Sequence, residues 1–214
     1  MVRFLFLLGL IPVVIGVAFR QWFGERVLKR LPRNSTQLTA EEFLNRLTSQ
    51  AKLAMTVSSA KRTRVTEKEF ILSTQVAEAK KVISLAEVGL LFGLALLGQR
   101  QPELLRWRAW ALKFSWAFPA YLLLVVIFSV AVGSFVRWAL PAVSLGVGIG
   151  TVVAFLVVWV EWQAAGLASE FLRARAIVAR EDDRRAISLA MKALAASKAV
   201  PGVLRFLFPS SKDD

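Results

Sequence analysis

The chain has 214 residues; 56% are hydrophobic, and 28 Lys+Arg face 15 Asp+Glu for a formal net charge of +13. That combination, at a mean hydropathy of +0.55, excludes an ordinary soluble enzyme and fits an integral membrane protein with cationic flanks. The absence of Cys and His further excludes disulfides, thiol catalysis, imidazole-based zinc sites and every Ser–His or Cys–His pair.

The first predicted element is an apolar run from Phe4 to Phe19, bounded by Arg3 and Arg20. It is short for a span, which takes roughly 20 residues. A cleaved signal peptide is the competing reading of residues 1–19. An n-region of one Arg and no obvious small-x-small cleavage site before Arg20 argue for a retained anchor. Residues 21–38 are polar and basic, with Pro32 and Asn34-Ser35 as loop punctuation. Thr39 and Glu42 then form a capping box, and Phe43, Leu44 and Leu47 continue as an apolar stripe at helical spacing. Residues 55–69 carry no apolar period and read as a loop or a short extended piece. Ser73 is placed to cap a helix from about Thr74 to Gly98.

Within that helix, Val82–Gly98 is apolar enough to span, but Glu87 sits near its middle. Making it a span would carry Arg100, Arg106, Arg108 and Lys113 to the opposite side and break the charge asymmetry, so it reads as a buried or half-inserted helix. Glu87 at that depth is a candidate site; the plainer account is that it snorkels, stays protonated or pairs with a nearby Lys or Arg. Gln99–Lys113 is a basic collar with Trp107 and Trp110. Basic residues interleaved with aromatics can bind nucleic acid strands. Next to a span, and without a DNA or RNA motif, they read as lipid-headgroup contacts made by Arg100, Arg106, Trp107, Arg108, Trp110 and Lys113.

Two further spans run from Phe114 to Val132 and from Leu140 to Val160, with Trp138, Trp159 and Trp162 as aromatic belts. Pro12 and Pro119 fall inside spans, which neighbouring helices can accommodate. Gly146, Gly148 and Gly150 suggest close helix packing. After the third span, Glu161–Ala179 and Asp183–Ala199 read as two helices broken at Glu181-Asp182-Asp183, with Pro201-Gly202 ending the second. The apolar tail Val203–Phe208 fits a surface-lying segment. No phosphate-binding loop, dinucleotide glycine pattern or nucleophile elbow is present.

Topology follows from counting basic residues. Arg20–Lys113 holds 17 Lys+Arg and Glu161–Asp214 holds 9, against one each in the N-terminus (Arg3) and the turn between the later spans (Arg137). The positive-inside rule therefore predicts a three-span protein with both long segments cytoplasmic and the N-terminus outside. The domain reading is an anchor at 1–19, a cytoplasmic helical segment at 20–113, a two-span hairpin at 114–160 and cytoplasmic helices at 161–214. The expected fold class is mainly all-α and membrane-integral.

The order of parts resembles the YugP-like neutral zinc metallopeptidases of bacterial membranes. Leu72-Ser73-Thr74-Gln75-Val76 is similar to the opening of that family's active-site stretch, L-S-P-x-V. Continuing without gaps, the family's H-E-x-G-H falls on Leu90-Leu91-Phe92-Gly93-Leu94, followed by Ala95 in place of the family's alanine. Leu105 and Arg106 fall on a later P-L-x-x-R region, and Val160-Glu161-Trp162-Gln163-Ala164-Ala165 on V-E-F-D-A-S. Thr39, Glu42 and Leu47 match an upstream helix.

The resemblance implies a zincin-like active-site helix from about 74 to 98, with Leu90, Leu91, Gly93, Leu94 and Glu161 at the degenerate motif positions. In H-E-x-x-H, two imidazoles one turn apart bind zinc and the glutamate serves as general base. Leu90 and Leu94 have no lone pairs, Leu91 cannot take a proton, and Glu161 cannot hold a catalytic metal alone. With neither His nor Cys, only carboxylates remain, which suit Mg²⁺ or Ca²⁺ rather than zinc. The expectation is a pseudopeptidase with no catalytic, cofactor or metal residues. It would act as a binding, scaffold or regulatory partner of another membrane protein, an active paralogue or a second copy included. The different-class alternative is a small membrane scaffold contacting anionic lipid through its basic collar. A weaker third is carboxylate chemistry at Glu87 and Glu161. Both leading readings include membrane lipid and no nucleic acid, and place the chain in a bacterial inner membrane with its C-terminus cytoplasmic.

Overall fold

The computed structural model describes residues 2–31, 36–53, 55–60, 63–65, 69–133 and 136–200. Pro32, Asn34-Ser35, Pro201-Gly202 and the tail Val203–Phe208 lie outside them. The described chain is mostly helical. Its elements are α1 (Val2–Phe19), a π-helical turn (Arg20–Glu25), α2 (Arg26–Arg30), α3 (Ala40–Ala51), β1 (Thr56–Ser59), β2 (Arg64–Val65), β3 (Glu69–Leu72), α4 (Thr74–Ala77), α5 (Val82–Arg100), α6 (Pro102–Ala131), α7 (Val136–Arg175) and α8 (Glu181–Ala196). They form two compact units: the described parts of 1–25, 106–159 and 196–214, and those of 26–105 and 160–195.

The first unit is built on close helix contact. A Cβ on Gly9 would strike the Ser144–Leu145 backbone of α7, and one on Gly148 would meet the Gly9 carbonyl. The two backbones therefore touch at small residues, the usual way for helices to associate where both are apolar. Ser144 Oγ donates to the Phe6 carbonyl at 2.8 Å across the same seam. Gly150 meets Pro119 of α6 and Gly146 meets Leu122, so α7 is gripped by both neighbours. The outer faces are large and apolar: Phe4 of α1, Phe128 of α6 and Leu140 of α7 are all exposed.

Residues 21–38 read as a polar, basic stretch with loop punctuation, but the chain stays helical to Arg30 by way of the π turn. The i→i+5 winding of a π turn brings residues five apart onto one face. Arg20 and Glu25 meet there at 3.0 Å, with Arg20 buried.

The second unit has a core of Phe43, Leu44 and Leu47 from α3, Phe70 and Leu72 from β3, Leu85, Phe92 and Leu94 from α5, and Ile187 and Met191 from α8. Its α3 begins at the capping box: the Thr39 N–H donates to Glu42 Oε2 (3.0 Å), and the Glu42 N–H to Thr39 Oγ1 (3.2 Å). The helix closes at Lys52 in the left-handed region, φ 53°.

One expectation is made definite in this unit and one is corrected. The stretch 55–69, read as a loop or a short extended piece, supplies β1, β2 and the first residue of β3 in a three-stranded sheet of order β1-β3-β2, with β1 parallel and β2 antiparallel to β3. The fold is thus mainly but not wholly helical. The helix expected from Thr74 to Gly98 is broken. Ser73 caps only the single turn α4, and α5 starts afresh at Val82. The break arises because the Ala79 and Lys80 carbonyls are drawn to the N–H groups of Ala40 (3.1 Å) and Thr36 (2.7 Å).

Two helix boundaries also shift. The helix expected from Glu161 to Ala179 is the continuation of α7, which runs 40 residues to Arg175 and stops where Ala176 turns to φ 49°. The basic collar from Glu103 to Lys113 lies within α6.

Among the described residues, four helical stretches are long and apolar enough to cross a membrane: Val2–Arg30, Val82–Arg100, Pro102–Ala131 and Arg137–Arg175. They differ in surroundings. The Val82–Arg100 stretch is 61% buried by protein, whereas the first and third are 11% buried.

Candidate functional site

The degenerate motif positions lie on α5. Leu90 and Leu94 are buried, at 4% and 1% exposure, and Leu91 is half-buried. Glu161 on α7 is fully buried. The two helices touch between them: a Cβ on Gly93 would meet the Ala164 carbonyl, with Ala168 also close. Phe92 packs on Phe171 with ring centroids 5.1 Å apart, extending the contact two turns along α7. One turn earlier on α5, Gly89 leaves room for Met191 of α8 and Phe43 of α3. The motif's glycine therefore sits at the closest approach to α7. Gly93 is adjacent to Leu94, and Ala164 is three residues from Glu161.

This arrangement packs; it does not coordinate. Two leucines offer no donor atoms to a cation. Among the described residues, no three of His, Cys, Asp and Glu cluster tightly enough to hold one. The residues at the motif positions do not fit a zinc ion.

The collar residues divide between helices. Arg100 is the exposed last residue of α5. It shares a cavity of about 560 Å³ with Lys52, Leu96, Phe171 and Arg175. Arg106, Trp110 and Lys113 are exposed on α6, while Trp107 and Arg108 are half-buried. Trp110 stacks on Phe114 (5.0 Å), and Phe114 on Phe118 (4.9 Å), in a ladder at four-residue spacing. Glu87 is half-buried on α5. Trp162, expected in an aromatic belt, donates its indole N–H to the Lys192 carbonyl of α8 at 3.0 Å.

Sequence reasoning missed one group of polar residues where α7 and α8 run together. The Ser169 and Ser188 hydroxyls are 2.8 Å apart, and Ser169 also donates to the Ala165 carbonyl at 2.7 Å. Beside them Arg185 pairs with Glu181 at 2.9 Å. Only the Glu181–Arg185 spacing, four residues along one helix, was a visible signal. Comparison of the whole chain with protein-family models, characterised proteins and solved structures finds no match.

Proposed function

We propose that this chain is a membrane-resident relative of the YugP-like zinc peptidases that has lost its metal and works by binding another membrane protein. The observation that carries the proposal is the contact of Gly93 with Ala164. It sets the turn bearing Leu90 and Leu94 against the stretch of α7 that begins at Glu161. In an active relative those stretches must converge on one ion, and here leucine packing takes its place. Strand β3 leading through Ser73 to the helical segment is consistent with the same scaffold. A protein that keeps the scaffold and gives up the ligands is left with recognition as its function.

In this proposal α1, α6 and the first part of α7 cross a bacterial inner membrane. The N-terminus lies outside and the C-terminus in the cytoplasm. Helix α5 does not cross, which its burial by protein supports.

Two measurements test the proposal. The triple variant Leu90→His, Leu91→Glu, Leu94→His restores the family motif and should bind about one zinc per chain. Adding Glu161→Gln should weaken that binding. A folded triple variant with no zinc affinity would remove the peptidase ancestry. Purification from native membranes in mild detergent should yield a stoichiometric protein partner. Recovery of lipid alone would favour the second reading, a lipid-contacting scaffold. The exposed Arg106, Trp110 and Lys113 on α6 are what support that alternative.

A further inference from the structure

We propose that the cleft between the end of α7 and the first half of α8 binds a ligand through its phosphate group. The proposal does not rest on the peptidase ancestry. The cleft encloses about 470 Å³, within the roughly 300–1,000 Å³ of small-molecule sites. Three guanidinium groups line it: Arg173 from α7, and Arg184 and Arg185 from α8.

The three are not equally satisfied. Arg185 is held by Glu181 at 2.9 Å. Arg184 reaches the same carboxylate only at 3.9 Å, its side chain is 23% exposed, and its Nε is buried without a hydrogen-bond partner. A buried donor left unmet is costly and calls for an acceptor. An oxyanion in the cleft supplies one, with the charge-assisted and bidentate geometry that guanidinium favours.

Ser188 adds a second donor. The Ser169 proton is committed to the Ala165 carbonyl, so Ser188 donates to Ser169. Its hydroxyl can turn to a ligand oxygen at the expense of that one neutral bond.

Two carboxylates, Glu170 and Glu181, also line the cleft. They leave one net positive charge, and Glu181 is already engaged by Arg185. A metal cation would face three guanidinium groups, so the balance favours an anion. Leu172 and Leu189 form apolar walls. They suit the organic part of a phosphate ester, either a soluble one or the glycerol end of a phospholipid.

The full-length protein in detergent is titrated calorimetrically with inorganic phosphate and, separately, with short-chain phosphatidylglycerol, at matched ionic strength. At least one probe should bind. Arg173→Gln and Arg184→Gln should each weaken it roughly tenfold, and Glu170→Gln should tighten it by removing a repulsive charge. Binding of phosphate itself identifies a soluble source; binding of the lipid alone identifies a headgroup. Arg173 is exposed, so Arg173→Gln should leave unliganded melting unchanged and keep the test valid if Arg184→Gln disturbs folding. Failure of both probes, or binding that Arg173→Gln leaves intact, overturns the proposal.

Discussion

At the scale of single residues, space around the backbone decides more than side-chain type. Gly93 and Gly166 sit on helices of the same unit and have opposite surroundings. A Cβ at Gly93 meets the Ala164 carbonyl, while a Cβ at Gly166 meets nothing within 4 Å. Gly93→Ala should therefore cost about 1–3 kcal/mol, because no rotamer change can move a carbonyl. Gly166→Ala should instead stabilise α7 by about 1 kcal/mol through helix propensity. Thermal melting in detergent reads both; equal effects would contradict the packing described. Leu94→Ala, at a position 1% exposed, should cost roughly 2–5 kcal/mol. As letters, Leu90 and Leu94 at helical spacing fit core, lipid or partner equally; the family resemblance is what implied an inward position, and both are buried.

At the scale of elements, local rules were legible and distant ones were not. The capping box is written in Thr39–Glu42 and closes with both hydrogen bonds. The break between α4 and α5 was invisible because its cause lies in Thr36, which takes the Lys80 carbonyl from 44 residues away. The sheet escaped for a similar reason. Edge strand β1 reads Thr-Val-Ser-Ser, with no apolar period of its own, and its pairing is with Glu69–Leu72.

The capping box also yields a pH prediction. The Thr39 backbone N–H is the chief group holding the Glu42 carboxyl below its ordinary value of 4.5. A carboxyl whose folded pKa is depressed stabilises above its unfolded value and loses that contribution as pH falls through the folded one. The melting difference between the wild type and Glu42→Gln should thus be present at neutral pH and close below 4.5. A difference that persists in acid would show that the charge plays no part. Thr39→Ala should cost about 0.5–2 kcal/mol at neutral pH.

At the scale of the whole molecule, charge and burial together govern the topology we propose. The 17 and 9 basic residues of the two long segments favour the cytoplasm, and the exposed apolar residues of α1, α6 and α7 suit lipid. A periplasm-active reporter fused after Asp214 should be silent, and a cytoplasm-active one should work. The reverse result would overturn the orientation. Composition made the long apolar helices legible, since apolar runs and basic flanks are local counts. The number of crossings is less so, because α5 passes the tests of length and composition yet is 61% buried by protein, against 11% for the first and third stretches and 44% for the fourth.

The turn between α1 and α2 bears on what lengths this chain tolerates. In terms of insertions and deletions, Arg20–Glu25 is a stretch with one residue to spare. Excising the exposed Gln21 would let the helix close with ordinary i→i−4 bonds, a local gain in regularity. A π turn takes about one residue more per turn than an α turn, so the excision restores α winding and leaves α1 close to its present phase relative to Glu25. Arg20 and Glu25 would become an i,i+4 pair, still on one face, and the seam of Gly9 on Gly148 would keep its register. Deletion of Gln21 should therefore be tolerated about as well as its substitution, with thermal melting in detergent as the check.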